Sequence, residues 1–200
     1  MGVTIDSKLT WAKHISNIAS RAGQKLGALR RVANKLDRRG RATVYKAQVR
    51  SVMEYASLSW MSASPTSLGL LDSIQKKALR IIGVDRDEAR KELNITSLHQ
   101  RRQVAAATVL YKMHTSICPT DLSALLPQPY VIRRATRSSL SMPSHAPAVP
   151  VSRTVSTGRT FIHAVVHVWN SLPDCVVGDI AVDGVAPFKT RVHEYLLSHF

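Results

Sequence analysis

Few side chains in this sequence have the types and spacing that chemistry needs. His163 and His167 stand four residues apart, as two zinc ligands on one helix face would. The residues between them include Ala164, Val165 and Val166, so the glutamate that serves as base in an H-E-x-x-H site is missing, and a half-buried helix with two ordinary histidines is the simpler expectation. Cys118 and Cys175 are the only cysteines. They lack Cys-x-x-Cys spacing, fit a reducing compartment, and are expected to be small buried hydrophobes. Asp85-Arg86-Asp87-Glu88 has carboxylates enough for a divalent ion, but an arginine interrupts them and a short helix follows, so capping by Asp85 or Asp87 explains them better. Phosphate-binding G-x-x-x-x-G-K-[ST], dinucleotide G-x-G-x-x-G and nucleophile-elbow G-x-S-x-G motifs are all missing. Asn94-Ile95-Thr96 has the form of a glycosylation acceptor, with no signal peptide to make it relevant.

Charge is the unusual feature. The chain has 28 Lys+Arg against 13 Asp+Glu, a formal +15. That balance points to a polyanionic partner, most often nucleic acid and sometimes an anionic membrane. The excess is localised. Residues 1–50 hold twelve Lys/Arg against Asp6 and Asp37, whereas residues 51–100 balance at six and six. A second basic zone has Arg133, Arg134, Arg137, Arg153 and Arg159 in a stretch, Leu122 to Pro173, without a single Asp or Glu.

The elements that must carry these charges read as helices. Trp11, Ile15, Ile18, Ala22, Leu26, Leu29, Ala33 and Leu36 recur at three- and four-residue spacing, with Thr10 as the expected N-cap. Lys13, Arg21, Lys25, Arg31 and Lys35 fall mostly on the other side of that stripe. Gly23 and Gly27 suggest a close packing contact. Asp37 to Gly40 reads as a turn, which places Arg38, Arg39 and Arg41 at or beside it. A second helix is expected from about 41 to 60, with Val44, Tyr45, Val49, Val52, Met53 and Ala56 inward. A third should run from 67 to 82 with Leu68, Leu71, Ile74, Ala78 and Ile81 on one face, ended by Gly83. Further helices are expected at 85–93, 97–117, 161–169 and 188–197. Six of the nine prolines lie between Pro119 and Pro150, so residues 128–160 have the composition of an irregular linker. The fold class is mainly α. No stretch approaches the roughly 18 apolar residues of a membrane span. Residues 8–36 are amphipathic, basic and acid-free like a transit peptide, but Asp6 precedes them. The Met1-Gly2 opening lacks the Ser or Thr at position six that myristoylation requires. The expected location is intracellular, cytoplasmic or nuclear.

A family resemblance runs along nearly the whole chain. Gly2-Val3-Thr4-Ile5-Asp6-Ser7-Lys8-Leu9-Thr10-Trp11-Ala12-Lys13-His14-Ile15 resembles the "L-G-V-x-I-D-x-x-L-x-W-x-x-H-I" segment of reverse transcriptases from jockey-like non-LTR retrotransposons. In the same order come Leu26-Gly27-Ala28-Leu29-Arg30-Arg31, the stretch from Tyr45 through Tyr55 to Trp60, and Leu71 to Ile82. Arg159-Thr160-Phe161, Trp169-Asn170-Ser171-Leu172-Pro173 and Phe188-Lys189 are similar to the family's tail, "R-x-F…W-N-x-L-P…F-K". In that family this segment follows the polymerase palm and forms the thumb and the region beyond it. The resemblance therefore implies a remnant of the last palm strand at 1–8, a thumb-like helical bundle at 9–95, post-thumb helices at 96–127, the basic linker at 128–160 and a small helical C-terminal module at 161–200.

It also implies what is missing. The family's polymerase site is a Tyr-x-Asp-Asp turn with an upstream Asp, which together hold two Mg²⁺ for nucleotidyl transfer. None of the five tyrosines here precedes such a pair, and no two aspartates adjoin. The chain is accordingly expected to be a fragment of an RNA-directed DNA polymerase, without catalytic residues or a cofactor of its own, Mg²⁺ belonging only to the complete enzyme. Its expected role is to grip the backbone of a duplex or RNA·DNA hybrid through Lys13, Arg21, Lys25, Arg30, Arg31, Lys35, Arg38, Arg39 and Arg41. The alternative is a domesticated basic helical protein that binds a partner protein or an anionic membrane.

Overall fold

The computed structural model describes residues 2–128, 146–151, 153–154, 158, 160–178 and 184–199. The protein is mainly helical, and no strand occurs among the described residues. It divides into two compact units, Met1–His99 and Gln100–Phe200.

In the first unit, α1 (Ala12–Val32) continues as a 3-10 turn, Ala33–Lys35. Next, α2 (Arg38–Val44) passes through a π-helical stretch, Tyr45–Arg50, into α3 (Ser51–Glu54). The unit closes with α4 (Pro65–Ile82) and α5 (Arg86–Leu93). α1 packs against α4, the π stretch and α3. The apolar periodicity does what its spacing requires: Trp11, Ile15, Ile18, Ala22, Leu26 and Leu29 are buried with Tyr45, Val49, Val52, Met53, Leu71, Ile74 and Ala78. Trp60 is fully buried, and its indole N–H donates to the Tyr55 carbonyl at 3.2 Å.

Helix ends depart from the sequence reading. Thr10 is not the cap of α1. Trp11 holds that position at φ 61, and Asp6 reaches forward instead, accepting from the Thr10 and Trp11 amides at 2.8 and 3.2 Å. Asp37 to Gly40 is no free turn: Asp37 is the N-cap of α2 and accepts from the Gly40 amide at 2.8 Å, so Arg38 and Arg39 occupy the first helical turn. The second helix stops at Glu54 rather than at Trp60, and Ala56, expected inside a helix, sits at φ 50. Pro65 starts α4 at its first position, where no amide is needed, and Gly83 ends it at φ 83. Asp85 and Glu88 form a capping box on α5.

The second unit contains α6 (Leu98–His114), α7 (Thr120–Ser123), α8 (Phe161–Asn170), α9 (Asp174–Val177) and α10 (Val185–His199). Aromatic rings hold it together: Tyr111 stacks on Phe188 at 4.4 Å and His114 on Trp169 at 5.2 Å. The Gln100 side-chain amide donates to the Leu196 carbonyl. The helix expected at 97–117 and the module expected at 161–200 thus share one core. The linker arginines Arg133, Arg134, Arg137 and Arg159 lie outside the described residues.

Candidate nucleic-acid interface

In an amphipathic helix the apolar stripe decides which residues face solvent. At about 100° per residue, Lys13 and Arg31 sit opposite the stripe of α1, while Arg21, Lys25 and Arg30 flank it. All five are exposed. Lys13 and Arg31 are eighteen residues apart, about 27 Å of helix at 1.5 Å per residue. The bases therefore line α1 along its length rather than forming one cluster. Lys35, Arg38 and Arg39 extend the row past its C-terminal end, also exposed. The side chains of Lys13, Arg21, Arg30, Arg31, Lys35 and Arg39 make no hydrogen bond or ion pair among the described residues. Lys25 reaches the Gln48 side-chain oxygen at 3.0 Å, and Arg38 pairs with Glu92 at 3.4 Å on the surface.

Arg41 behaves differently. Its Nε donates to the carbonyls of Ala33 and Leu36 at 2.9 and 3.0 Å, and its Nη1 to those of Ile81 and Ile82 at 3.3 Å each. These carbonyls belong to the ends of α1's 3-10 extension and of α4, where the intrahelical ladder leaves acceptors open and the helix dipole is negative. The guanidinium is thereby committed to joining two helix ends and is unlike the eight bases around it.

Three bases escaped the sequence reading. Lys76, Lys77 and Arg80 are exposed on α4, directly opposite its buried stripe of Leu71, Ile74, Gln75, Ala78, Leu79 and Ile82. Residues 51–100 as a whole balance at six bases and six acids, which masks a local excess on one helix. Counted helix by helix, α4 has these three against Asp72 alone. The acids of the unit also have other duties. Asp6, Asp37, Asp85 and Glu88 serve at helix starts, and Glu54 and Glu92 pair with Arg50 and Arg38. What is left on the outer faces of α1 and α4 is predominantly positive.

The other candidate chemistries do not assemble. His163 is buried, with Nδ1 at 2.9 Å from the Thr160 hydroxyl and Nε2 at 2.8 Å from the Pro150 carbonyl, whereas His167 is exposed. Cys118 lies 3.1 Å from the Ser123 hydroxyl; Cys175, expected to be buried, is exposed. Among the described residues there is no group of three or more His, Cys, Asp and Glu able to hold a metal ion, and no helix long and apolar enough to cross a membrane. No protein-family model matches the chain, and neither a curated protein nor a solved structure matches it.

Proposed function

We propose that the outer faces of α1 and α4 grip the phosphate backbone of a nucleic-acid duplex, an RNA·DNA hybrid first of all. In this reading the chain is the thumb and post-thumb part of a jockey-like non-LTR reverse transcriptase and has no nucleotidyl transfer of its own. The supporting observation is the set of exposed bases along and just beyond α1, Lys13, Arg21, Arg30, Arg31, Lys35 and Arg39, whose side chains have no hydrogen-bond or ion-pair partner among the described residues, with Lys76, Lys77 and Arg80 exposed on α4. Such a surface offers exposed point charges, which suit contacts that position a backbone without reading its sequence.

The decisive experiment is a salt titration of hybrid binding. With about five phosphates neutralised, the log–log slope should be near −4.5 for a duplex. Replacing Arg30, Arg31, Arg38 and Arg39 with Ser should flatten the slope while the helical content stays unchanged. Arg41 is left unsubstituted in this variant because of its four carbonyl partners. Equal binding by wild type and variant at 50–100 mM salt would sink the reading.

A further inference from the structure

We infer that His14 is a proton-operated catch: with its ring neutral it holds residues 2–5 against α1, and protonation releases that stretch while the turn at residues 6–11 stays in place. The ring is 4% exposed. Its Nδ1 accepts the Thr4 amide at 3.2 Å, across ten residues of chain. A nitrogen that accepts must keep its lone pair, so the bond requires the neutral ring with its proton on Nε2. That Nε2 is buried and has no hydrogen-bond partner among the described residues. Adding a proton to Nδ1 would turn the acceptor into a second donor facing the Thr4 amide, and the bond would be lost.

The surroundings give an imidazolium nothing in return. Trp60 meets the ring edge-on, centroids 6.3 Å apart. The buried faces that α4, the π stretch and α3 bring to this core are apolar except for Gln75 and the phenol of Tyr45. The charged neighbour is Arg21, itself positive, on α1. Burial first, and Arg21 second, hold the imidazole below its ordinary value of 6.5.

A second catch on the same segment has the opposite character. Asp6 accepts from the Thr10 and Trp11 amides and from the Thr10 hydroxyl at 2.6 Å. The hydroxyl bond is the main reason its carboxyl titrates below 3.8. Asp6, held below its ordinary 3.8, therefore stays ionised in mild acid. In mild acid the group on this segment that can take up a proton is the His14 imidazole, nearer residue 2.

Amide hydrogen exchange by NMR on the 200-residue chain, from pH 7.5 to 5, tests this directly. Protection of each amide is taken relative to its intrinsic exchange rate at that pH. The Thr4 amide should lose protection roughly tenfold for each unit below the imidazole midpoint, while the Thr10 and Trp11 amides keep theirs. His14→Gln retains an acceptor that cannot titrate in this range, so its Thr4 protection should not change with pH. Flat protection in the wild type overturns the inference. So does the same loss in His14→Gln, or a loss shared with Thr10, Trp11 and the core of α1, which would be general acid unfolding. Should His14→Gln fail to fold, the His14 ring-proton titration in the wild type must share its midpoint with the Thr4 loss, and two separate midpoints overturn it.

Discussion

Two residues of like expectation, Arg39 and Arg41, differ in what holds them. Arg39 is exposed and bonds to nothing through its side chain, and Arg41 holds four carbonyls. A bond from a charged donor contributes about 1.5–3 kcal/mol, and here the bonds share one partly buried group. Arg41→Ala should therefore destabilise the first unit by about 2–3 kcal/mol, and Arg39→Ala should stay within about 0.5 kcal/mol, compared by urea denaturation followed through tryptophan fluorescence. His14 adds a pH dependence whose sign follows from its lowered value. The unfolded chain takes up the proton first, so the contribution is complete above pH 6.5 and declines as pH falls below it. The urea midpoint should drop between pH 7.5 and 5.5 in the wild type and drop less in His14→Gln.

At the scale of elements, the glycines separate by environment. A Cβ added at Gly23 or Gly27 in α1 would meet nothing within 4 Å among the described residues, so the close packing contact their spacing suggested is not formed there. Gly23→Ala and Gly27→Ala should each raise stability by about 0.5–1 kcal/mol, read as a higher melting temperature, through better helix propensity alone. Gly40→Ala should do the reverse. Its Cβ would lie 2.8 Å from the Asp37 carboxylate oxygen and displace the cap of α2, a loss of about 1 kcal/mol. Gly83→Ala should also destabilise, because φ 83 is left-handed backbone. Apolar stripes were legible in the sequence at this scale because burial imposes their period. Helix starts were not. Residue type points to Thr10 as the cap of α1, but Trp11 takes that position without a side-chain cap, and only the path of the chain from residue 6 to residue 11 brings the Asp6 carboxylate onto the Thr10 and Trp11 amides.

For the whole molecule, the paired aspartates of a polymerase are missing from the sequence, so no primer extension is expected on a primed RNA template with Mg²⁺ or Mn²⁺. Template-dependent incorporation by a clean preparation would contradict the fragment reading. Hybrid should also be bound more tightly than vesicles of anionic lipid at equal salt, because a row of bases about 27 Å long follows a phosphate backbone and α1 has no apolar face left to insert. Equal affinity for both would favour the membrane alternative. Among the described residues, the expected bases other than Arg41 lie outside the buried cluster of the first unit, so substitutions at these exposed positions test binding with little effect on that core.

By itself the sequence determined the helical class, the buried stripes of α1 and α4, the end of α4 at Gly83, and the exposure of eight of the nine expected bases, while it left the cap of α5 open between Asp85 and Asp87. These are local matters: a helix's period and its caps depend on residues within a few positions of one another. Tertiary structure alone decided three others. Arg41 acquires its role from Ile81 and Ile82, forty residues away, whose open carbonyls no local pattern announces. His14 becomes a buried acceptor because Thr4 folds back and Trp60 closes over it. Lys76, Lys77 and Arg80 are left exposed because α4 turns its apolar stripe toward the core it shares with α1, a pairing set by the apolar residues rather than by the charges left outside.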